Sequence, residues 1–245
     1  MQCPKCGAEQ NGGNAICDRC GIVFAEYYKY DPRPGLDLPS SKAPSDSEFG
    51  RGSLSDLLLP TQERAGWLSL GGRALLYALL FVWGWRLILS SVESNTAGES
   101  FLHLVNLPFH EAGHVIFRPF GQFIASLGGT LGQLLMPSIC FFVLLVKTRD
   151  PFGASVAFWW LGENFLDTAP YIGDARAGQL PLLGGNYGHS APYGFHDWEY
   201  LLTETGLLHL DGILAGLSHF VGSAIMLSAM LWGAVLLYRQ YRAVG

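Results

Sequence analysis

A mainly α-helical, polytopic membrane bundle of about four to five helices, preceded by a small separate module, is the fold class this sequence predicts. Three observations predict it. The 245 residues are 49% hydrophobic and 14% charged, with a mean hydropathy of +0.24, which sets the chain apart from ordinary soluble domains and from disordered chains. The apolar residues gather into runs near the roughly twenty needed to cross a hydrocarbon core at helical rise. Two cysteine pairs stand at the start, in a stretch too short to build a core without a staple.

Cys3-Pro4-Lys5-Cys6 and Cys17-Asp18-Arg19-Cys20 form two C-x-x-C turns ten residues apart. Each pair can grip one side of a tetrahedral Zn²⁺, and Gly7 and Gly21 follow the second cysteine of each pair, where such a turn often needs positive φ. Residues 1–26 are therefore expected to form a zinc ribbon whose structural metal supplies the folding energy, with a disulfide-linked pair as the alternative. Thiolate ligation favours a reducing compartment, so a cytosolic N-terminus is expected. Cys140, in an apolar run, reads as an inert core residue.

Residues 27–65 change character. Pro32, Pro34, Pro39, Pro44 and Pro60 alternate with Ser, Asp and Gly, a composition that cannot bury a core and reads as a flexible tether. Within it, Leu54 to Pro60 can form a short interfacial helix. Residues 66–245 then form an integral, multi-pass membrane domain. Its expected spans run from about Trp67 to Val92, Phe123 to Val146, Phe152 to Ile172 and Gly212 to Tyr238. Trp67 and Tyr238 fit interfacial anchors. No basic start followed by an apolar run precedes the first span, so that span is expected to act as the insertion signal. A formal charge of −5 without a basic cluster argues against nucleic acid as a partner.

Between the first two spans lies His110-Glu111-Ala112-Gly113-His114. Residues four apart share a helix face, so both imidazoles can hold one Zn²⁺ while Glu111 beside them takes a proton from water. Three ionisable side chains within five positions of Phe-, Leu- and Val-rich sequence are hard to explain as packing. A catalytic zinc usually takes three protein ligands. The segment from Glu163 to Asp174 offers carboxylates, and in a helix Asn164, Asp167, Tyr171 and Asp174 form one polar stripe on an apolar surface.

His-Glu-x-x-His in a membrane helix, a following helix that opens with Gly128-Gly129-Thr130-Leu131-Gly132-Gln133, and a later one with Asn164 and Asp174 resemble the site-2 protease group of intramembrane zinc metalloproteases. The resemblance covers about Leu102 to Arg176. It implies His110, His114 and Asp174 as catalytic zinc ligands, Glu111 as general base and Asn164 as a polar helper. The family's Leu-Asp-Gly element stands here as Gly173-Asp174-Ala175, and the Asn-to-Asp interval is about two residues longer than the family's usual one, so Asp167 stays open as the ligand. No PDZ-like domain is evident.

The Gly-rich connection from Leu180 to Tyr200 packs His189, His196, Asp197 and aromatics together. It can cap the site as a lid or lie at the interface, and His196 is a weaker ligand candidate. The stretch 101–117 is short and polar: the resemblance has it cross, whereas re-entry would keep Lys147, Arg149, Arg239 and Arg242 on the cytosolic side.

The function expected is that of an intramembrane zinc endopeptidase that hydrolyses a peptide bond in or near a membrane segment. Its partners would be the bilayer, a membrane-protein substrate and a cytosolic protein recruited by the ribbon. The alternatives are a catalytically silent membrane scaffold that uses the ribbon for binding, and a membrane zinc hydrolase with a non-peptide substrate.

Overall fold

In a computed structural model of the chain, the structure describes residues 2–25, 27, 54–60 and 66–244. The chain divides into two compact units, 1–51 and 52–245. Most of the expected tether lies outside the described residues.

In the first unit, each C-x-x-C turn is closed the same way. The N–H groups of Gly7 and Gly21 donate to the carbonyls of Cys3 and Cys17, both at 2.9 Å, with φ of +70° and +67° at the two glycines. The isolated bridges Gln2↔Glu9 and Ile16↔Val23 continue the two turns. Buried Phe24 packs on Cys3 and Cys17. Cys6, Cys20 and Ile22 pack against this cluster, which is the core of the unit among the described residues.

The second unit is helical, without strands among the described residues. A short α1 (Leu54–Leu58) precedes α2 (Trp67–Ile88), α3 (Phe101–Phe117), α4 (Gln122–Phe142), α5 (Pro151–Gly173), α6 (Asp197–Glu204) and α7 (Asp211–Val244). Three stretches are long and apolar enough to cross a membrane: Trp67–Ile88, Gln122–Lys147 and Leu208–Val244, the second extending α4 by a π-helical turn, Val143–Lys147. These features are consistent with an integral membrane protein.

The expected span from Phe152 to Ile172 does form a helix, α5, but it is not one of those three. It carries buried Ser155, Glu163, Asn164, Asp167 and Thr168, which lower its hydropathy. Its neighbours cover it, so it has no need to be apolar all round. By contrast, α2 turns Leu75, Leu79 and Val82 outward. The core links the two through Leu87, Trp159, Leu166, Met226, Ala229 and Met230.

Helix directions follow from the residues that meet. Arg73 reaches Gln240 and Tyr77 donates to the Met230 carbonyl, so α2 runs antiparallel to α7. Ser218 donates to the Phe165 carbonyl while Gly233 lies beside Ser155, which makes α5 antiparallel to α7. Gln133 meets Asp167 and Phe141 meets Phe158, so α4 is antiparallel to α5. Hence α2 and α5 run one way, and α4 and α7 the other. The chain leaves α2 toward the end of the bundle where α4 begins, and α3, inserted between them, makes no net passage through it. Lys147, Arg149, Arg239 and Arg242 all follow from this at the end where α2 starts, and Arg73 there pairs with Asp150 at 3.2 Å.

The contact of α5 with α7 is close because glycines face each other. A Cβ at Gly222 would stand 2.5 Å from the Gly162 carbonyl oxygen and 2.8 Å from Phe165 Cβ. Gly222→Val should therefore part these helices at a cost of about 1–3 kcal/mol, read as a lower midpoint of thermal unfolding in detergent. A variant as stable as the parent would show that this contact is loose.

Candidate metal centre

In the N-terminal cluster the ligand-type atoms of Cys3, Cys6, Cys17 and Cys20 lie within 4.8 Å of one another. The Sγ atoms of Cys3 and Cys20 are 3.6 Å apart, and those of Cys6 and Cys17 3.7 Å. No described cysteine is in a disulfide. Four sulfurs at about 2.3 Å from a common tetrahedral ion would stand about 3.8 Å from each other, so the donor set fits zinc. Turn hydrogen bonds outweigh desolvation to bring the Cys3 thiol down to about 6, and Cys20 is pushed up to about 12 by its burial and the neighbouring sulfurs, against a backbone hydrogen bond from Ile22.

The second centre is built on α3. Helical spacing puts His110, Glu111 and His114 on one face, with ligand-type atoms within 4.8 Å of one another. A third group meets the imidazoles: Asp197, at the start of α6. Its Oδ2 lies 3.2 Å from His110 Nε2 and 3.2 Å from His114 Nε2. Donors at 2.0–2.1 Å from a tetrahedral ion would be separated by about 3.3 Å, close to both distances.

The protons sharpen the fit. His114 Nδ1 lies 2.8 Å from the Ala125 carbonyl oxygen, which only accepts, so Nδ1 carries a proton. His110 Nδ1 lies 3.1 Å from Gln133 Oε1. The Gln133 amide is oriented because its Nε2 donates to Asp167 Oδ2 at 2.8 Å, so His110 also donates from Nδ1. In the neutral rings both Nε2 lone pairs then point at a carboxylate oxygen. One shared cation satisfies such a convergence of acceptors. Burial pushes the Asp197 carboxyl up, and the two imidazoles outweigh it and hold the group below its ordinary value. Tyr171 adds a hydrogen bond to Oδ2 at 3.2 Å.

Glycines let the parts approach. A Cβ at Gly129 would lie 2.5 Å from His110 Nε2 and 2.6 Å from His114 Nε2, in the space where the nitrogens converge. Gly113 and Gly128 meet backbone to backbone in the same seam.

Asp174, the ligand expected from the resemblance, does not meet the His pair. Its Oδ1 and Oδ2 accept the N–H groups of Gln179 and Leu180 at 2.8 and 2.9 Å, and the His196 imidazole lies 3.6 Å away. A carboxylate just past the end of α5 is within reach of the following turn's amides, and those amides hold it. His196 is fully buried, caps α6 by accepting the Glu199 N–H and stacks on Tyr171 at 4.3 Å between ring centroids. Desolvation pushes its pKa down against the pull of Asp174 and Asp197. Asp174 and His196 thus fix the loop that delivers Asp197.

Asp167 stands one step behind the pair. It accepts from Gln133 and from Asn106, and its Oδ1 lies 2.9 Å from His103 Nδ1. Asn164 bonds to the Trp160 carbonyl and to Glu163 within its own helix. Sequence reasoning missed Asp197, His103 and Asn106 as parts of this network. Only the clustering of Phe195-His196-Asp197-Trp198 after a Gly-rich stretch hinted at the first.

The pair opens into a cavity of about 1010 Å³. Glu111, His103 and Thr168 line its wall, and Leu180, Leu183 and Phe195 bring the Gly-rich connection over it. Comparison of the chain with protein-family models, curated proteins and solved structures finds no match.

Gln133→Leu should remove the acceptor that fixes the His110 ring. Metal affinity at this centre, measured by competition with a chromogenic chelator, should fall about 10–100-fold while the Cys cluster is unaffected. Unchanged affinity would refute the tautomer argument.

Proposed function

We propose that the membrane unit is a zinc-dependent hydrolase and that its reaction is cleavage of a peptide bond in or near a membrane segment. The observation that carries this reading is the meeting of His110 Nε2, His114 Nε2 and Asp197 Oδ2 with their other hydrogen bonds already committed. His110, His114 and Asp197 would hold the metal, Asp197 taking the role that the resemblance gives to Asp174. Bound there, zinc would supply Lewis acidity that polarises a carbonyl and acidifies water.

The remaining work belongs to the chain. Gln133 and the Ala125 carbonyl keep both Nε2 lone pairs turned inward. Glu111, in the cavity beside the His pair, accepts a proton from the attacking water and returns it to the leaving amine. The connection from Leu180 to Asp197 keeps bulk water from one side of the cavity. A pocket at the upper end of the range for ligand sites suits a stretch of peptide better than a small amide.

In the membrane, α2, α4, α5 and α7 would give four crossings, with α3 entering and leaving from one side. Lys147, Arg149, Arg239 and Arg242 would then share the side at which the chain enters α2, as the positive-inside tendency expects of the cytosol. The Cys module would hold a structural zinc and serve as the docking element for a cytosolic partner.

Purified protein should contain two zinc ions per chain. Cys3→Ser with Cys6→Ser should leave one, Asp197→Ala should leave one, and Asp174→Ala should retain both with weakened occupancy of the membrane centre. A single zinc lost wholly with the cysteine pair would mean that a protonated His pair, not a metal, holds Asp197.

Glu111→Gln should keep both ions and lose about 10²–10⁴-fold in turnover of a membrane substrate. Full turnover in that variant would end the proton-transfer role given to Glu111.

A further inference from the structure

The cavity wall carries charge of opposite sign beside the two ends of α3. Glu93 and Glu99 lie in its wall before the start of α3, and Arg118 lies in its wall just past the end of α3. All three are exposed; none lies within 4 Å of an oppositely charged described side chain, and Glu93 has only the Ser91 hydroxyl and the more distant His219 for company. The charged groups between them are already engaged: His103 with Asp167, and His110 and His114 with Asp197. Glu111 is the exception, and it is the proposed base. Leu107, mid-way along α3, and Leu180, Leu183 and Phe195 of the following connection add apolar surface to the wall.

We infer that this cavity selects an extended peptide with a cationic group at one end, an apolar middle and a carboxylate at the other, the cation lying at Glu93 and Glu99 and the carboxylate at Arg118. The inference deepens the peptidase reading and rests on it for the position of cleavage.

Dimensions set the spacing. The 17 residues of α3 span about 25 Å at helical rise, and an extended chain at about 3.3 Å per residue covers that length with about seven or eight residues. His110 and His114 lie about 14–20 Å from the start of α3, which is about four to six extended residues. Arg118 lies about 6 Å beyond His114, about two residues. The bond at the His pair is therefore about five residues from the cation and about two or three from the carboxylate. Because α3 makes no net passage through the bundle, both charged ends of such a peptide reach the same end of it, and neither has to cross the apolar interior.

The test uses full-length protein carrying Glu111→Gln, which should bind peptide without turning it over, and fluorescent eight-residue peptides of one composition. One has Lys at the N-terminal side and Glu at the C-terminal side of an apolar stretch, and the other has the two exchanged. Termini are blocked. Anisotropy at low ionic strength should show one peptide bound about tenfold more tightly than the other, and the difference should shrink at high salt. Adding Glu99→Lys with Arg118→Glu should invert the preference. Equal binding of the two peptides, or a preference that the double reversal leaves unchanged, overturns the charge axis.

The parent protein with Glu111 intact separates the two readings. Cleavage of the preferred peptide about two or three residues from its Glu supports both. Charge-dependent binding without cleavage by the parent protein leaves the axis standing and removes the peptidase reading.

Discussion

The ring protons of His110 and His114 are committed to Gln133 and to the Ala125 carbonyl, and much of the membrane unit serves to keep them there. Ala125 and Gln133 both lie on α4, so α3 and α4 must run together at close range. The glycines at 113, 128 and 129 permit it. Gln133 in turn is held by Asp167 on α5. One hydrogen-bonded chain thus ties three helices to the orientation of one imidazole, and the nitrogens facing Asp197 are left as bare acceptors.

That arrangement explains why α5 is polar where it is most buried. Asp167 accepts from Asn106 and Gln133 and meets His103. Asn106 also donates to Glu163 and accepts from Trp160. Burying so many polar groups is costly unless they are paired, and here most are paired with one another. Glu163 Oε1 and Asn164 Oδ1 are exceptions, buried without a partner. A helix so built depends on protein around it, which α3, α4 and α7 supply, and the tight Gly162–Gly222 contact is part of that cover.

The connection after α5 couples the carboxylate that anchors the turn to the one that meets the His pair. Asp174 grips the amides of Gln179 and Leu180, His196 sits beside it, and Tyr171 stacks on His196 while its hydroxyl reaches Asp197. The next residue in the chain after His196 is the one that meets the His pair. An error in the position of Asp174 would propagate directly to the carboxylate that faces the His pair.

Local features of the chain were legible in the sequence. The C-x-x-C turns with Gly7 and Gly21, the helix over 101–117 and the face shared by His110, Glu111 and His114 depend on spacings of three or four residues. Helical or turn geometry converts such spacings into positions directly. The long apolar runs likewise marked helices, with α5 the one whose polar stripe masked its place in the interior. The carboxylate that meets the His pair was not legible, because Asp197 lies 83 residues beyond His114 and meets it only through a loop anchored by Asp174. From sequence alone Asp167, Asp174 and Asp197 are chemically alike. Only the tertiary structure tells them apart, since it shows which carboxylate already has its oxygens filled by backbone amides, which one orients Gln133, and which is left facing two nitrogens. The same holds for the stretch 101–117: its composition is compatible with crossing or returning, whereas the directions of α2 and α4, set by packing against α7 and α5, bring the chain back to the end of the bundle that it left.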